Sequence, residues 1–514
     1  MDKKQKLQKE IRSSILPKLW QQVSQETISP SLTKTVQAMR VIWSQCDDFI
    51  FNNLTIENET EPQIAACWLN SIINPKQLQA IVFRTAANEY KKYGSLQALM
   101  NNSTGAYRAV STYQDASKAV AEGQAVLFFE QESQALSVNV ANFPKTAFLP
   151  PENELTVDDP HISFINNLAL NMGAIRSHIH SPNLKFEQLS LGTVAHTNVA
   201  MIYLEGIIEQ TLVDEMRRRL NSYQLEGVIG INYIKEVISD NGYSPFPLLD
   251  VTERPDRVAT VVLQGRIAVM VDGSSMALIA PTIFINMLNS IEDYYSSYAS
   301  VIFIRILRHL MYWISMLLPS IYIVLLSYHP DLLPTPLLLS IQSQHVGIPF
   351  PIIMEVMGMA VVFESIREAG IRLPKAVGQS VSIVGALVIG DAAIQAGLVS
   401  PGAVITVAFA GIASFTIPSY TLAYTNRILQ FGFMFMASIY GFYGLIMGGL
   451  ALVAHLVSLK SFGVPYMSPV APFHRQRFRY AFYRPPWGKV NTSHECVSET
   501  PTSQLAKINS LIGK

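Results

Sequence analysis

Hydrophobic and polar positions divide this chain into two unlike parts. Before Tyr298, apolar residues recur at strand and helix periods between charged stretches; from Ile302 to Leu459 they merge into long runs broken by short loops. Leu310 to Ser327 contains no ionisable side chain except tyrosine. Gln379 to Tyr424 carries one formal charge, Asp391, and is long enough for two crossings joined at Ser400-Pro401-Gly402. Ile428 to Leu459, uncharged apart from His455, fits one long tilted helix or a broken pair. About 20 apolar residues at 1.5 Å each cross a hydrocarbon core. A soluble core helix needs a polar face, which these segments lack. The pattern predicts a transmembrane helical domain over 299–460.

The earlier part reads as two smaller units. Residues up to Pro30 suggest an amphipathic helix that the proline stops. Asp48 to Ile56 and Ile64 to Asn70 have strand composition, Pro75 opens a helical run ending at Tyr90, and Gln124 to Val140 alternates as a hairpin does. Strands and helices in alternation predict an α/β unit over 1–145. The proline- and acid-rich stretch 142–160 reads as a linker. A second α/β unit over 155–298 follows. Its expected helices are Phe164 to Ile179, Glu209 to Leu220 and Tyr233 to Ile238. Its expected strands are Thr193 to Leu204, Gly227 to Ile231, Val258 to Gln264 and Arg266 to Val271. The apolar run Ala277 to Leu288 is placed along the membrane surface. Residues 461–514 form a basic tail, with Arg475, Arg477, Arg479, Arg484 and Lys489 interleaved with aromatics. The fold class is a multi-domain membrane protein: two small cytoplasmic α/β units, then an α-helical transmembrane domain.

Composition adds a few exclusions. Lys plus Arg and Asp plus Glu both total 38, so global charge points to no partner. Three cysteines, Cys46, Cys67 and Cys496, suit a reduced compartment and offer neither a disulfide framework nor metal-site spacing. The charged N-terminus is followed by no apolar signal region, which keeps the first half in the cytoplasm. Arg305 and Arg308 precede the first crossing, and the loop Tyr328 to Phe350 has no Lys or Arg, so that loop lies outside. With the basic tail also inside, the number of crossings is even. Four is the simplest count, with Ile348 to Phe363 at the interface; six requires the last apolar segment to be split.

Candidate chemistry centres on Asp391. At 100° per residue, Val384, Leu387, Val388 and Gln395 share its side of a helix, while Ala386, Gly390, Ala393 and Gly397 form a small-residue packing stripe opposite. A carboxylate within a bilayer costs at least ~2.5–3.5 kcal/mol unless paired or hydrated. This face is therefore a candidate pore lining, weighed against pairing or a place at the membrane edge. Glu355 and Glu364 flank an apolar run and are candidates for an ion entrance. Ala437, Gly441, Gly444 and Gly448 read as helix packing. His178 and His180 resemble half a metal site with no third ligand, so no metal is expected. No phosphate loop, nucleophile elbow or other catalytic constellation is visible; the expectation is neither an enzyme nor a cofactor binder. The aromatic-basic tail suits anionic lipid rather than nucleic acid, given its place after a membrane segment.

Several ordered stretches are distinctive. They are SPFPLLDVTERPDRVATVVLQGRIAVMVDGSS (Ser244 to Ser275), SIEDYYSSY (Ser290 to Tyr298), VGIPFPIIMEVMGM, FESIREAGIRLPKAVGQSVSIVGALVIGDAA and SFGVPYMSPVAPF (Ser461 to Phe473). Through them the chain resembles the A subunits of spore nutrient germinant receptors, over roughly Phe164 to Phe473 and more weakly before. It departs from the family's pattern at Asp159-Pro160, Asn166, Ser177 and Ser275. The resemblance implies a multi-pass protein of the spore inner membrane with both termini cytoplasmic. It implies a homo-oligomeric ring that passes ions when nutrient binds, partnered by a nutrient-binding, multi-spanning B subunit and a lipoprotein C subunit. A non-conducting scaffold, or a paralogous A-like subunit that amplifies germination, is the alternative. In that setting Glu253, Arg254 and Asp256 of TERPD would pair across subunits, and Arg367 and Arg372 would couple the cytoplasmic and membrane rings.

Overall fold

The computed structural model describes residues 25–54, 63–80, 90, 96, 107–142, 148–154, 156, 161–222, 224–372, 388–475, 478 and 483. Strands β1 (Phe49–Leu54), β2 (Ile64–Leu69), β3 (Tyr107–Val110), β4 (Gln124–Phe129) and β5 (Ala135–Asn139) form an antiparallel sheet in the order β1-β2-β4-β5-β3. The β4–β5 pair is the hairpin that the alternation predicts, with Gln124 opposite Asn139. Helices α1 (Leu32–Ile42) and α2 (Tyr113–Ala121) cover one face, over Ala65, Cys67 and Leu69. Ile64, Ala66 and Trp68 point to a second core on the other face. Burial on both sides explains why β2 reads as a continuous apolar run rather than an alternating one. Thr112 starts α2 by accepting the Asp115 N–H at 3.1 Å. Helix α1 begins after Pro30; residues 1–24, where an amphipathic helix is expected, lie outside the described residues. Of the expected Pro75 helix, Pro75–Leu78 is α-helical, and residues 81–89 lie outside the described residues.

The second sheet contains β6 (Leu184–Leu191), β7 (Thr197–Leu204), β8 (Asp250–Thr252), β9 (Ile267–Val271) and β10 (Ala277–Ala280), ordered β6-β7-β9-β10-β8 and antiparallel throughout. Helices α3 (Leu168–Arg176), α4 (Gln210–Asn221), α5 (Ile231–Ile238) and α6 (Pro255–Leu263) cover it, α3 and α6 on one face, α4 and α5 on the other. Three sequence expectations are corrected here. Val258 to Gln264 is not a strand but most of α6. Pro255 sits at the helix N-terminus with its φ already helical, and Val258, Val261 and Val262 fall on one buried side. Gly227 to Ile231 is not a strand either, because the Leu225 and Glu226 carbonyls accept from the loop at Thr193–Ala195 and α5 starts at Ile231. Ala277 to Leu288 is not one apolar surface run. It is buried strand β10, then a helical turn, Phe284–Leu288, whose apolar side chains pack into a core with Tyr312 and Met316.

One buried ion pair pins the two sheet units together. Asp48, just before β1, receives two hydrogen bonds from Arg176 at the end of α3, at 3.1 and 2.9 Å, and one from Ser71 at 2.9 Å. Beside it, Gly173 meets the Ser71 carbonyl so closely that a Cβ would lie 2.2 Å from the oxygen.

From Tyr298 to Ser458 the described chain is mainly helical, with α7 (Tyr298–Ser327), α8 (Thr335–His345), α9 (Ile352–Arg372), α10 (Pro401–Ser414) and α11 (Tyr420–Ser458); a short antiparallel hairpin, Lys460–Ser461 with Val464–Pro465, follows. Two of these, α7 and α11, are long and apolar enough to cross a membrane. Of the two alternatives for the last apolar segment, the structure takes the broken pair. Gly441, at φ 59° and ψ −136°, breaks α11 into arms 420–440 and 442–458. The arms fold back on each other: Thr425 and His455, from opposite arms, both hydrogen-bond the turn at Ser244-Pro245. Gly448 lets the Phe433 ring approach, since a Cβ there would be 3.0 Å from it. Helices α9 and α10 run parallel, joined at one end by Glu355 and Ser400 and at the other by Arg367 and Ser414. The helical segment 388–395 delivers the chain back to the Glu355 end.

Candidate functional site

In segment 388–395 the helical period separates two faces. Val388, Asp391 and Gln395 are exposed, and the Gln395 amide donates to the Asp391 carboxylate at 2.7 Å across one turn. Gly390 is buried on the other side, where a Cβ would lie 3.8 Å from the Val404 side chain of α10. Gly397 ends the segment with φ +63°. Small residues thus seat this helix on α10 and leave the carboxylate facing away from the chain's own bundle. Val384 and Leu387, expected on the same face, lie outside the described residues.

Glu355 does not stand open at an entrance in this chain. Its residue is 2% exposed, and its carboxylate accepts the Ser400 N–H at 2.8 Å and contacts His345 Nδ1 at 3.2 Å. It therefore ties down the N-terminus of α10, where a negative charge is favoured by the helix dipole. Glu364 is partly exposed and pairs with Arg427 at 2.8 Å and Arg367 at 3.3 Å. Arg367 also donates to Ser414 at 3.1 Å. Arg372 pairs at 2.6 Å with Glu368 on its own helix. Both arginines meet carboxylates, but within the helical region.

TERPD is turned inward rather than toward a neighbour. Arg254 is fully buried and donates to Asp256 at 3.0 and 2.6 Å, to the Glu154 carbonyl at 3.2 Å and to the Thr156 hydroxyl at 2.7 Å. Glu253 accepts the Asn153 and Glu154 N–H groups at 2.5 and 2.9 Å. Arg257 bridges Glu154 and Asp250. Burial pulls the Arg257 guanidinium down, but the two carboxylates outweigh it and hold the group above its ordinary value. Asp256 accepts from the Tyr295 hydroxyl at 3.0 Å. The expected cross-subunit pairs are thus internal bonds fastening Asn153, Glu154 and Thr156 to the second sheet unit and that unit to the segment before α7.

The sequence reading missed one buried polar cluster. Asp293 is buried beneath α7 and accepts from Arg305 at 2.9 Å and from Arg308 at 3.2 and 3.1 Å. Ser290 and Asp293 also form a reciprocal cap. The two arginines, three residues apart, share a helix face; that spacing was the available signal, yet they read only as basic residues marking the inside. Deeper in α7, Ser315 accepts from Asn426 of α11 at 2.6 Å, both fully buried.

Known proteins match this sequence over most of its length. The family model described as Bacillus/Clostridium GerA spore germination protein matches residues 37–496. Spore germination protein KA of Bacillus subtilis (strain 168) is 35% identical over 92% of this chain and 88% of its own length. A Bacillus subtilis protein named uncharacterized membrane protein YfkQ is 36% identical over 90% of both chains. Spore germination protein GerLA of Bacillus cereus is 38% identical over 73% of this chain and 76% of its own. The crystal structure of the N-terminal domain of the A subunit of the Bacillus megaterium spore germinant receptor GerK3 aligns with 50% of this chain and 98% of that one, at 22% identity and a TM-score of 0.39. With the family pattern running through both sheet units and every helix described above, the chain belongs to the GerA family of spore germination proteins.

Proposed function

We propose that this chain is the A subunit of a spore nutrient germinant receptor, a homo-oligomer of the spore inner membrane whose 388–395 helices enclose an ion path opened in response to nutrient. The observation that carries this reading is the exposed Val388–Asp391–Gln395 face on a helix seated through glycine against α10. Facing lipid, that carboxylate would cost ~2.5–3.5 kcal/mol or more. Facing its copies around a wet axis, it is hydrated.

Six passes accommodate the helix directions: α7, α9, the return through 388–395, α10 and the two arms of α11. The break at Gly441 supplies the even count, with Arg367, Arg372 and Arg427 at the cytoplasmic end and the loop free of Lys and Arg outside. Both termini are then cytoplasmic. The partners are the multi-spanning B subunit that binds nutrient and the lipoprotein C subunit.

The test is cation release from liposomes holding the purified receptor. Asp391→Ala and Val388→Trp should each change release kinetics while assembly persists. Unchanged release in both removes these residues from the path, and a monomer in detergent removes the ring. A complex that binds nutrient and passes no current is a scaffold.

A further inference from the structure

Where α9, α10 and α11 meet near the sheet units, two arginines share one acid. Arg367 and Arg427 have side chains only 8% and 11% exposed, and Glu364 is the carboxylate between them. The adjacent Arg372–Glu368 pair cancels itself, so the cluster keeps one net positive charge. Among the described residues, the Nε of both guanidinium groups is buried without a hydrogen-bond partner. Unsatisfied buried N–H groups are costly, and a planar guanidinium matches a phosphate with two parallel hydrogen bonds.

The surroundings suit an amphiphile. The Phe415 ring lies 4.7 Å from Arg367 and the Tyr424 ring 4.5 Å from Arg427, centroid to guanidinium carbon. Tyr420 hydrogen-bonds Tyr424 at 2.7 Å. Phe415 is 66% exposed and Ile428, one residue beyond Arg427, 63%. Thr425 hydrogen-bonds the Pro245 carbonyl of the sheet unit, which sets the cluster at the boundary between the helical and sheet regions. Tyrosines at a boundary, apolar side chains above it and surplus arginine charge between helices are the features of a lipid headgroup pocket.

We propose that Arg367 and Arg427 hold the phosphate of an anionic phospholipid of the cytoplasmic leaflet, with its acyl chains over Phe415 and Ile428. This rests on the membrane reading above. The site ties lipid charge to α9, α10 and α11, the helices around the candidate path.

The experiment is native mass spectrometry of the full-length chain in neutral detergent, titrated with phosphatidylglycerol or phosphatidylcholine. Wild type should take up phosphatidylglycerol at a concentration at least tenfold lower. Arg367→Gln with Arg427→Gln should shrink that preference below twofold, and Glu364→Gln, which removes the competing acid, should enlarge it. The Glu364 variant decides the matter if the double variant fails to fold. Replacing Arg475, Arg477 and Arg479 with Gln should leave the preference intact.

Equal uptake of the two lipids, or a preference unmoved in both the double variant and Glu364→Gln, overturns the proposal. So does loss of the preference in the tail variant, or abolition of phosphatidylglycerol uptake by millimolar inorganic phosphate, which would make the ligand a free anion. Loss of oligomer with unchanged lipid preference would assign the arginines to a neighbouring copy. A receptor that conducts yet shows no lipid preference defeats this inference alone, whereas a chain soluble without detergent defeats both.

Discussion

Asp48→Ala tests how the two sheet units are held together. The substitution strips the Arg176 guanidinium, fully buried, of both carboxylate bonds and leaves the Ser71 hydroxyl without its acceptor. Removing one partner of a buried pair costs about 3–5 kcal/mol, because the remaining charge stays desolvated. At 1.4 kcal/mol per factor of ten, the open population rises by roughly two to three and a half orders of magnitude. Two amides report it. The Asp47 N–H donates to the Phe186 carbonyl at 3.0 Å, and the Gln188 N–H to the Asp47 side chain at 2.6 Å, both across the junction. Hydrogen exchange at these amides should accelerate by that factor while the amide of Val126, inside the first sheet, keeps its rate. Replacing both partners, as in Asp48→Leu with Arg176→Met, should restore most of the protection, since an apolar pair of similar volume is nearly neutral. Exchange within threefold of wild type in Asp48→Ala would refute the pin.

Three further outcomes follow from the geometry. Gly441→Ala forces a Cβ into a positive-φ backbone and to 3.0 Å from Tyr328, so the helical region should lose about 1–3 kcal/mol, read as a lower melting temperature in detergent. Asp293→Asn leaves Arg305 and Arg308 without their buried carboxylate; a loss of roughly 3–5 kcal/mol and poor membrane yield are expected, against little effect for Glu368→Gln on the exposed Arg372 pair. Hydrogen bonds from Arg218 and Arg219 hold the Glu215 carboxyl down at about 2. That contribution is present above the ordinary carboxylate range and fades as pH falls through it toward 2, so wild type and Glu215→Gln should differ in melting temperature at pH 6 and converge in acid.

Patterning alone marked the β4–β5 hairpin and the long apolar runs that form α7 and α11, but it left β6 unmarked although one side of that strand is core. It also marked the faces of the Asp391 helix, because a 100° period places Val388, Asp391 and Gln395 together whatever surrounds them. It went astray at α6, where valines suggested a strand, since β-branched residues pack equally well on the buried side of a helix that Pro255 starts. The polar pairs were beyond its reach. Asp48 and Arg176, or Glu364 and Arg427, are distant in sequence, and nothing local says which acid a buried arginine will meet. Only the tertiary structure decides that, because a charge leaves water only where folding supplies its partner. The same holds for Gly441: a glycine permits a break, but the fold-back of two apolar arms, each burying the other, is what makes the chain take it.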